Sequence, residues 1–323
     1  MSQDARPRIL LLYNRNETTT ASYLEAALRR TADVVTAGDR QQVHVARGTQ
    51  LPIPRLLEHF GAPVDLVLEV EGDNVDAVGQ EDVETPCAWW AIDSHLHMSY
   101  DHHFHRAGVF DHVFVAQKHH VYRYKEWAWT EASWLPLAAD PDVFQPKDEP
   151  HVFDVGFVGN MLPGLHEGRR QLLKRIYKRF DRVGIHRGVW REEASRVIAR
   201  SRLAFNRSLH EDVNMRVFEV LACGRPLLTD RLPEKCGLGE LFDLERDLVL
   251  YDNASLEKTI ERWLADPAGA DEIGRTGRAH VLASHTYDHR AREILRVFGL
   301  QPSERELEAT GTAVTQNSDR GGP

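Results

Sequence analysis

The chain reads as an α/β protein made of two Rossmann-like, doubly wound halves that face a central cleft. Three observations predict this. Apolar strand-like runs alternate with helical periodicities from residue 8 onward, a proline-rich stretch breaks the pattern near residue 140, and the same alternation restarts at residue 152. At 323 residues there is room for two domains of roughly 150 residues each.

In order, Arg8–Tyr13 reads as a buried strand and Thr20–Arg30 as the helix after it, with Leu24, Ala27 and Leu28 on one face. A short strand at Asp33–Thr36 and a helix at Ile53–Phe60 lead into Val64–Val70, which alternates little and is strongly apolar, as a central parallel strand should be. Cys87–Ile92 is the next strand, a helix is expected over His97–Ala107, and Val109–Ala116 returns as a strand. Residues 1–137 form the first domain of this scheme. Four prolines between Pro136 and Pro150 mark residues 138–150 as the connection, because proline breaks regular elements.

The second half, 151–300, repeats the texture. Strands are expected at Val152–Val158, Arg182–Ile185, Ser201–Asn206, Leu227–Thr229 and Leu248–Tyr251. Helices are expected at Glu167–Arg179 and Arg191–Ala199, with two or three more over Ser255–Phe298. A further short helix spans about Asn214 to Cys223; Gly224 stops it and Pro226 forbids its continuation. Residues 301–323 are polar, end in Gly-Gly-Pro and are expected to be disordered.

Bulk properties exclude several classes. With 42% hydrophobic and 28% charged residues the chain is neither disordered nor fibrous, and a net charge of −9 argues against a general nucleic-acid binder. Cys87, Cys223 and Cys236 lie far apart among apolar neighbours, as free thiols in a reducing compartment do. The apolar run at the N-terminus is short and ends at Asn14-Arg15, so it reads as a strand and not a signal peptide, and no stretch approaches membrane-spanning length. A cytoplasmic location is expected; peripheral membrane contact stays open.

Chemistry gathers at strand ends, where open parallel sheets bind ligands. In the second half these are Gly159-Asn160 with Arg169, Asn206-Arg207-Ser208, Thr229-Asp230-Arg231 and Tyr251-Asp252. Each alone reads equally well as a turn; their joint placement is informative. The helix from Asn214 presents unpaired amides and a partial positive charge at its start, suited to a diphosphate, with Arg216 beside it. Glu219, one turn in, can accept hydrogen bonds from a ribose diol. Packing of Val217, Val220 and Leu221 on a sheet would explain the same helix without a ligand. In the first half, Asp93, His95 and His97 form a D-x-H-x-H run at a strand end, a spacing also found in metal hydrolases. That alternative needs further ligands at later strand ends, and His186 and His210 lie beyond the proline-rich break.

The segments DVNMRVFEVLACGRPLLTDR, GLGELF, DLVLYDN and GRTGRAHVLASHTYDHRAREIL resemble group 1 glycosyltransferases of the GT-B architecture, and within them the CgeB-like, spore-maturation-type branch. The likeness runs from about Asp93 to Leu295 and is strongest in the second half. WLPLAADPDVFQP is similar to that family's interdomain segment and VFDVGFVGNMLPGLHEGRRQLL to the opening of its nucleotide-binding domain. The resemblance implies a Glu-x₇-Glu pair at Glu211 and Glu219, with Glu219 on the donor's ribose, Glu211 near the transferred sugar, and the backbone at Val213–Asn214 facing the diphosphate. It implies that His95 is the family's cleft histidine, with Asp93 orienting it or meeting the acceptor. The family's basic pair does not match in spacing; Arg169 is the first choice for the diphosphate cation, Arg207 or Arg216 the second. Gly159, Asn160 and Asp230 complete the expected nucleotide-sugar site. The implied activity is metal-independent, retaining transfer from a nucleotide sugar to a glycan, protein or small-molecule acceptor, with no cofactor beyond the donor. A non-catalytic nucleotide- or glycan-binding scaffold on the same fold is the competing reading.

Overall fold

The first sheet grows outward from Arg8–Leu12 (β1), whose four residues after Arg8 are fully buried. The computed structural model describes residues 6–16, 20–71, 77–94 and 106–300. Asp33–Gly38 (β2) and Val43–His44 (β3) add to one side of β1. Leu66–Val70 (β5), Cys87–Ala91 (β7), His112–Val115 (β8) and Ala132–Trp134 (β9) add to the other. The order is β3-β2-β1-β5-β7-β8-β9, all parallel among the described residues, so the winding reverses between β1 and β5. Leu51–Pro52 (β4) and Ala77–Val78 (β6) pair separately. These two-residue strands and β3 are too short for sequence periodicity to reveal. The helix expected over His97–Ala107 lies outside the described residues except for its last two positions.

The second sheet comprises Phe153–Val158 (β10), Val183–His186 (β11), Ser201–Phe205 (β12), Leu227–Asp230 (β13) and Val249–Tyr251 (β14). Its order, β11-β10-β12-β13-β14, reverses between β10 and β12. Crevices at such reversals, outside the carboxyl ends of the strands, are where doubly wound sheets take ligands. The mixed α/β architecture with two parallel sheets is the one the sequence predicts.

The halves share one core. The helix Tyr287–Val297 packs on the helix Thr20–Thr31 of the first half; Tyr23 and Tyr287 stack at 5.4 Å, and Arg30 Nε meets Asp288 at 2.7 Å. Buried Arg290, on that returning helix, donates to the carbonyls of Pro136 (2.6 Å) and Leu137 (3.0 Å). Burial pushes its guanidinium down to about 10. Two nitrogens of its fixed fork thus tie down the chain where the connecting segment begins. No helix among the described residues is long and apolar enough to cross a membrane.

Candidate nucleotide-binding cleft

The helix Met215–Ala222 begins beside the reversal between β10 and β12. Its apolar face buries Val217, Phe218, Val220 and Leu221, which fixes its seat. Gly224 at φ 68 closes it, with Arg225 N on Val220 O (3.3 Å) and Gly224 N on Leu221 O (2.8 Å), a Schellman motif that needs the left-handed residue glycine supplies. Asn214 is the N-cap, yet no side chain caps the first turn. Its amide donates instead to Asn206 Oδ1 (3.3 Å), and Asn214 Oδ1 is buried without a partner.

Arg216 Nη1 lies 2.6 Å from Glu219 Oε2, but neither atom completes an aligned hydrogen bond, so both keep bonding capacity while their charges balance. Glu219 is 2% exposed; burial raises its carboxyl affinity for protons and Arg216 opposes that. Arg169, expected to reach the diphosphate, braces the crevice: Nη1 donates to Asn160 O (2.8 Å) at the end of β10, and Nη2 to Arg207 O (2.7 Å) after β12. Its Nε has no partner, and burial, reinforced by the charge of Arg216, lowers its pKa to about 10. Unpaired buried polar atoms are costly and rare, so Asn214 Oδ1 and Arg169 Nε, beside the buried Arg216–Glu219 ion pair at one helix start, describe a site suited to a polar ligand.

Gly159 (φ 154) bends the chain after β10, where a side chain would meet the Phe157 ring. Asp230 is engaged by the protein itself: it accepts from Arg207 Nη1 (3.1 Å), Ser208 N (2.9 Å) and Ser208 Oγ. It positions Arg207 and leaves little for a ligand. Arg231 and Asp252 form a loose exposed pair at 3.7 Å. Glu211 sits in a turn at φ 63, half exposed, its carboxylate 2.8 Å from Lys235 Nζ. Val213 is buried between this turn and the helix.

Sequence reasoning passed over two groups that join the halves. Gln117, directly after β8 and 3% exposed, accepts from Ser94 N (3.1 Å) and donates to Asp212 Oδ1 (3.2 Å). Asp212 is deeply buried, and desolvation pushes its carboxyl up to about 7 against the pull of that bond. The signal for Gln117 was its position at a strand's carboxyl end; for Asp212 it was masked by its acidic neighbour. Asp93, at the end of β7, is exposed with φ 61. His95 and His97 lie outside the described residues. Among the described residues no three His, Cys, Asp or Glu side chains come close enough to share a metal ion.

The same architecture occurs in known enzymes. A sucrose-phosphate synthase of Thermosynechococcus elongatus superposes with a TM-score of 0.61 at 15% identity, covering 94% of this chain and 100% of that one. HepE of Anabaena, crystallised with UDP and glucose, superposes at 0.63 with 10% identity over 91% and 99% of the two chains. A glycosyltransferase from Rickettsia africae gives 0.62 at 8% identity over 91% and 98%. The sequence matches no curated protein. Residues 151–296 match the family model described as glycosyl transferase-like, and the chain around them has the two-domain GT-B glycosyltransferase fold.

Proposed function

We propose that the protein is a glycosyltransferase that moves a sugar from a nucleotide-sugar donor to an acceptor held by the first half. The donor lies in the crevice between β10 and β12. The observation that carries this reading is the convergence of two buried atoms without hydrogen-bond partners, Asn214 Oδ1 and Arg169 Nε, with the buried Arg216–Glu219 ion pair at the uncapped start of one helix. HepE was crystallised with UDP-glucose in the same fold, which agrees with a nucleotide sugar here.

In the division proposed, residues 1–137 carry the acceptor, 138–150 connect, 151–300 carry the donor, and 301–323 form the tail. Glu219 accepts the ribose hydroxyls. The amides of the first helical turn, with Arg216 and Arg169, face the diphosphate. As the bond from the anomeric carbon to the diphosphate oxygen breaks, that oxygen gains charge, and fixed donors already aimed at it stabilise the charge without reorganising. An acceptor oxygen forms the new bond to the anomeric carbon, and its proton passes to a base. We assign His95 to that face of the cleft, oriented by Asp93, and Glu211 to the transferred sugar. The positive charge of the two arginines supports metal-independent transfer with no cofactor beyond the donor. Retention of configuration, a hexosyl donor and the CgeB-like branch follow from the resemblance of the sequence. The three buried free thiols support a cytoplasmic location.

The test is titration of UDP- and GDP-sugars into the purified chain, with release of nucleoside diphosphate as readout. Binding and turnover that both depend on Glu219 support the reading; binding unchanged in Glu219→Gln refutes the assignment. A scaffold without catalysis is the second reading, favoured by Glu211, which is already paired with Lys235. Saturable donor binding with no turnover against any acceptor would establish it.

A further inference from the structure

A pocket lies beside the helix Thr20–Thr31, between residues of both halves. About 460 Å³ in volume, it is lined by Arg15, Asn16, Ser22, Ala26, Arg40 and Arg191. Three of these are arginines and no carboxylate lines it among the described residues, in a chain whose net charge is −9. Arg15 follows β1 at the reversal of the first sheet, and Arg40 follows β2. Neither forms an ion pair among the described residues, and the nearest carboxylate partner of Arg191, Glu192, stands 3.8 Å away and 64% exposed. Arg191 comes from the second half. It opens the helix Arg191–Ala199 at φ 50 and places its guanidinium 4.9 Å above the Tyr23 ring. Arg40 also has a left-handed backbone, at φ 59. Two non-glycine residues held in that strained region both aim charge at one cavity.

The pocket adjoins the proposed donor site. Thr20, at the head of the same helix as Ser22 and Ala26, has its Oγ1 4.0 Å from Met215 Sδ on the donor helix. Tyr23 is near enough to feel the charges of both Glu219 and Arg191. From Thr20 to Ala26 the helix rises about 9 Å. Guanidinium forks pair bidentately with phosphate and carboxylate, and three of them have no counterpart in a neutral sugar.

We propose that this pocket binds an anionic group of the acceptor, a phosphate or a carboxylate, and so selects acidic acceptors. This rests on the glycosyltransferase reading above. The test is calorimetric titration of glucose 6-phosphate, glucuronate and glucose into the full chain, with and without saturating UDP. At least one anion is expected to bind roughly tenfold or more tighter than glucose, and the preferred one identifies the group. In the double variant Arg15→Gln/Arg40→Gln, both side chains being exposed, that preference should vanish while UDP affinity is unchanged. Anions no tighter than glucose, or anion binding that survives the double substitution, would overturn the proposal. Failure of both UDP and GDP to bind the wild type would break the nucleotide reading instead, and the titrations without nucleotide would still decide the pocket.

Discussion

The carboxyl ends of the two sheets are built in opposite ways. At the second, Asn206, Glu219 and Asp230 are 2–3% exposed and held in a mesh of hydrogen bonds and ion pairs. At the first, Arg15, Arg40 and Asp93 stand in solvent. The proposed donor end therefore has its geometry set before any ligand arrives, whereas the proposed acceptor end would have to shed water from its charges on binding. Substitutions of the buried residues at the proposed donor end should cost folding and binding together; those of the exposed residues at the proposed acceptor end should cost binding alone.

Arg169→Ala is the most severe way to break that contrast. It strips donors from two carbonyls that join the ends of β10 and β12 and removes a cation from the crevice. A stability loss of about 3 kcal/mol is expected from urea unfolding, with nucleoside diphosphate binding lost. Asp212 comes next, through pH. In the unfolded chain its proton leaves near the ordinary 3.8, but in the folded chain burial holds it until about 7. Below pH 4 both states are protonated and its contribution is complete. As pH rises to 7 the unfolded chain gains charge first, so stability falls. Asp212→Asn should remove that decline and be more stable than the wild type at pH 8, by on the order of 3 kcal/mol, with no difference near pH 4. Unfolding midpoints of both proteins across that range would show it.

Glu219→Gln keeps volume but loses charge. It should weaken UDP or GDP binding by about 10- to 100-fold, or about 1.4–2.8 kcal/mol by calorimetry. Glu211→Gln is the smallest effect on folding, below about 0.5 kcal/mol, because an exposed pair such as Glu211–Lys235 contributes little. Its effect on turnover should exceed its effect on stability, which separates a role at the transferred sugar from a structural one.

The strands long enough to show a pattern, and the helix from Asn214, were legible because apolar runs and a Gly-x-Pro stop encode local structure. Arg169 was read from the helix start after Gly159-Asn160 as a candidate phosphate cation, but its use as a brace was invisible, since sequence shows a charge and not the two carbonyls it meets. The pairing of Arg216 with Glu219 follows from helical i, i+3 spacing and could have been read. The link from Gln117 to Asp212 could not: it spans 95 residues and depends on how the halves dock. The return of Tyr287–Val297 to the first half was hidden likewise, because periodicity gives a helix its apolar face but not the surface that face covers. Nor does sequence tell a core tryptophan from a surface one: Trp89 and Trp90 are core, and Trp129 is 88% exposed.

Hydrogen–deuterium exchange on the peptide covering Asn214 to Phe218, with and without saturating UDP or GDP, tests the central claim most directly. A diphosphate resting on the uncapped first turn predicts slowed exchange at these amides in the wild type, and less slowing in Glu219→Gln at equal nucleotide. Saturable nucleotide binding that leaves this peptide's exchange unchanged would contradict the account.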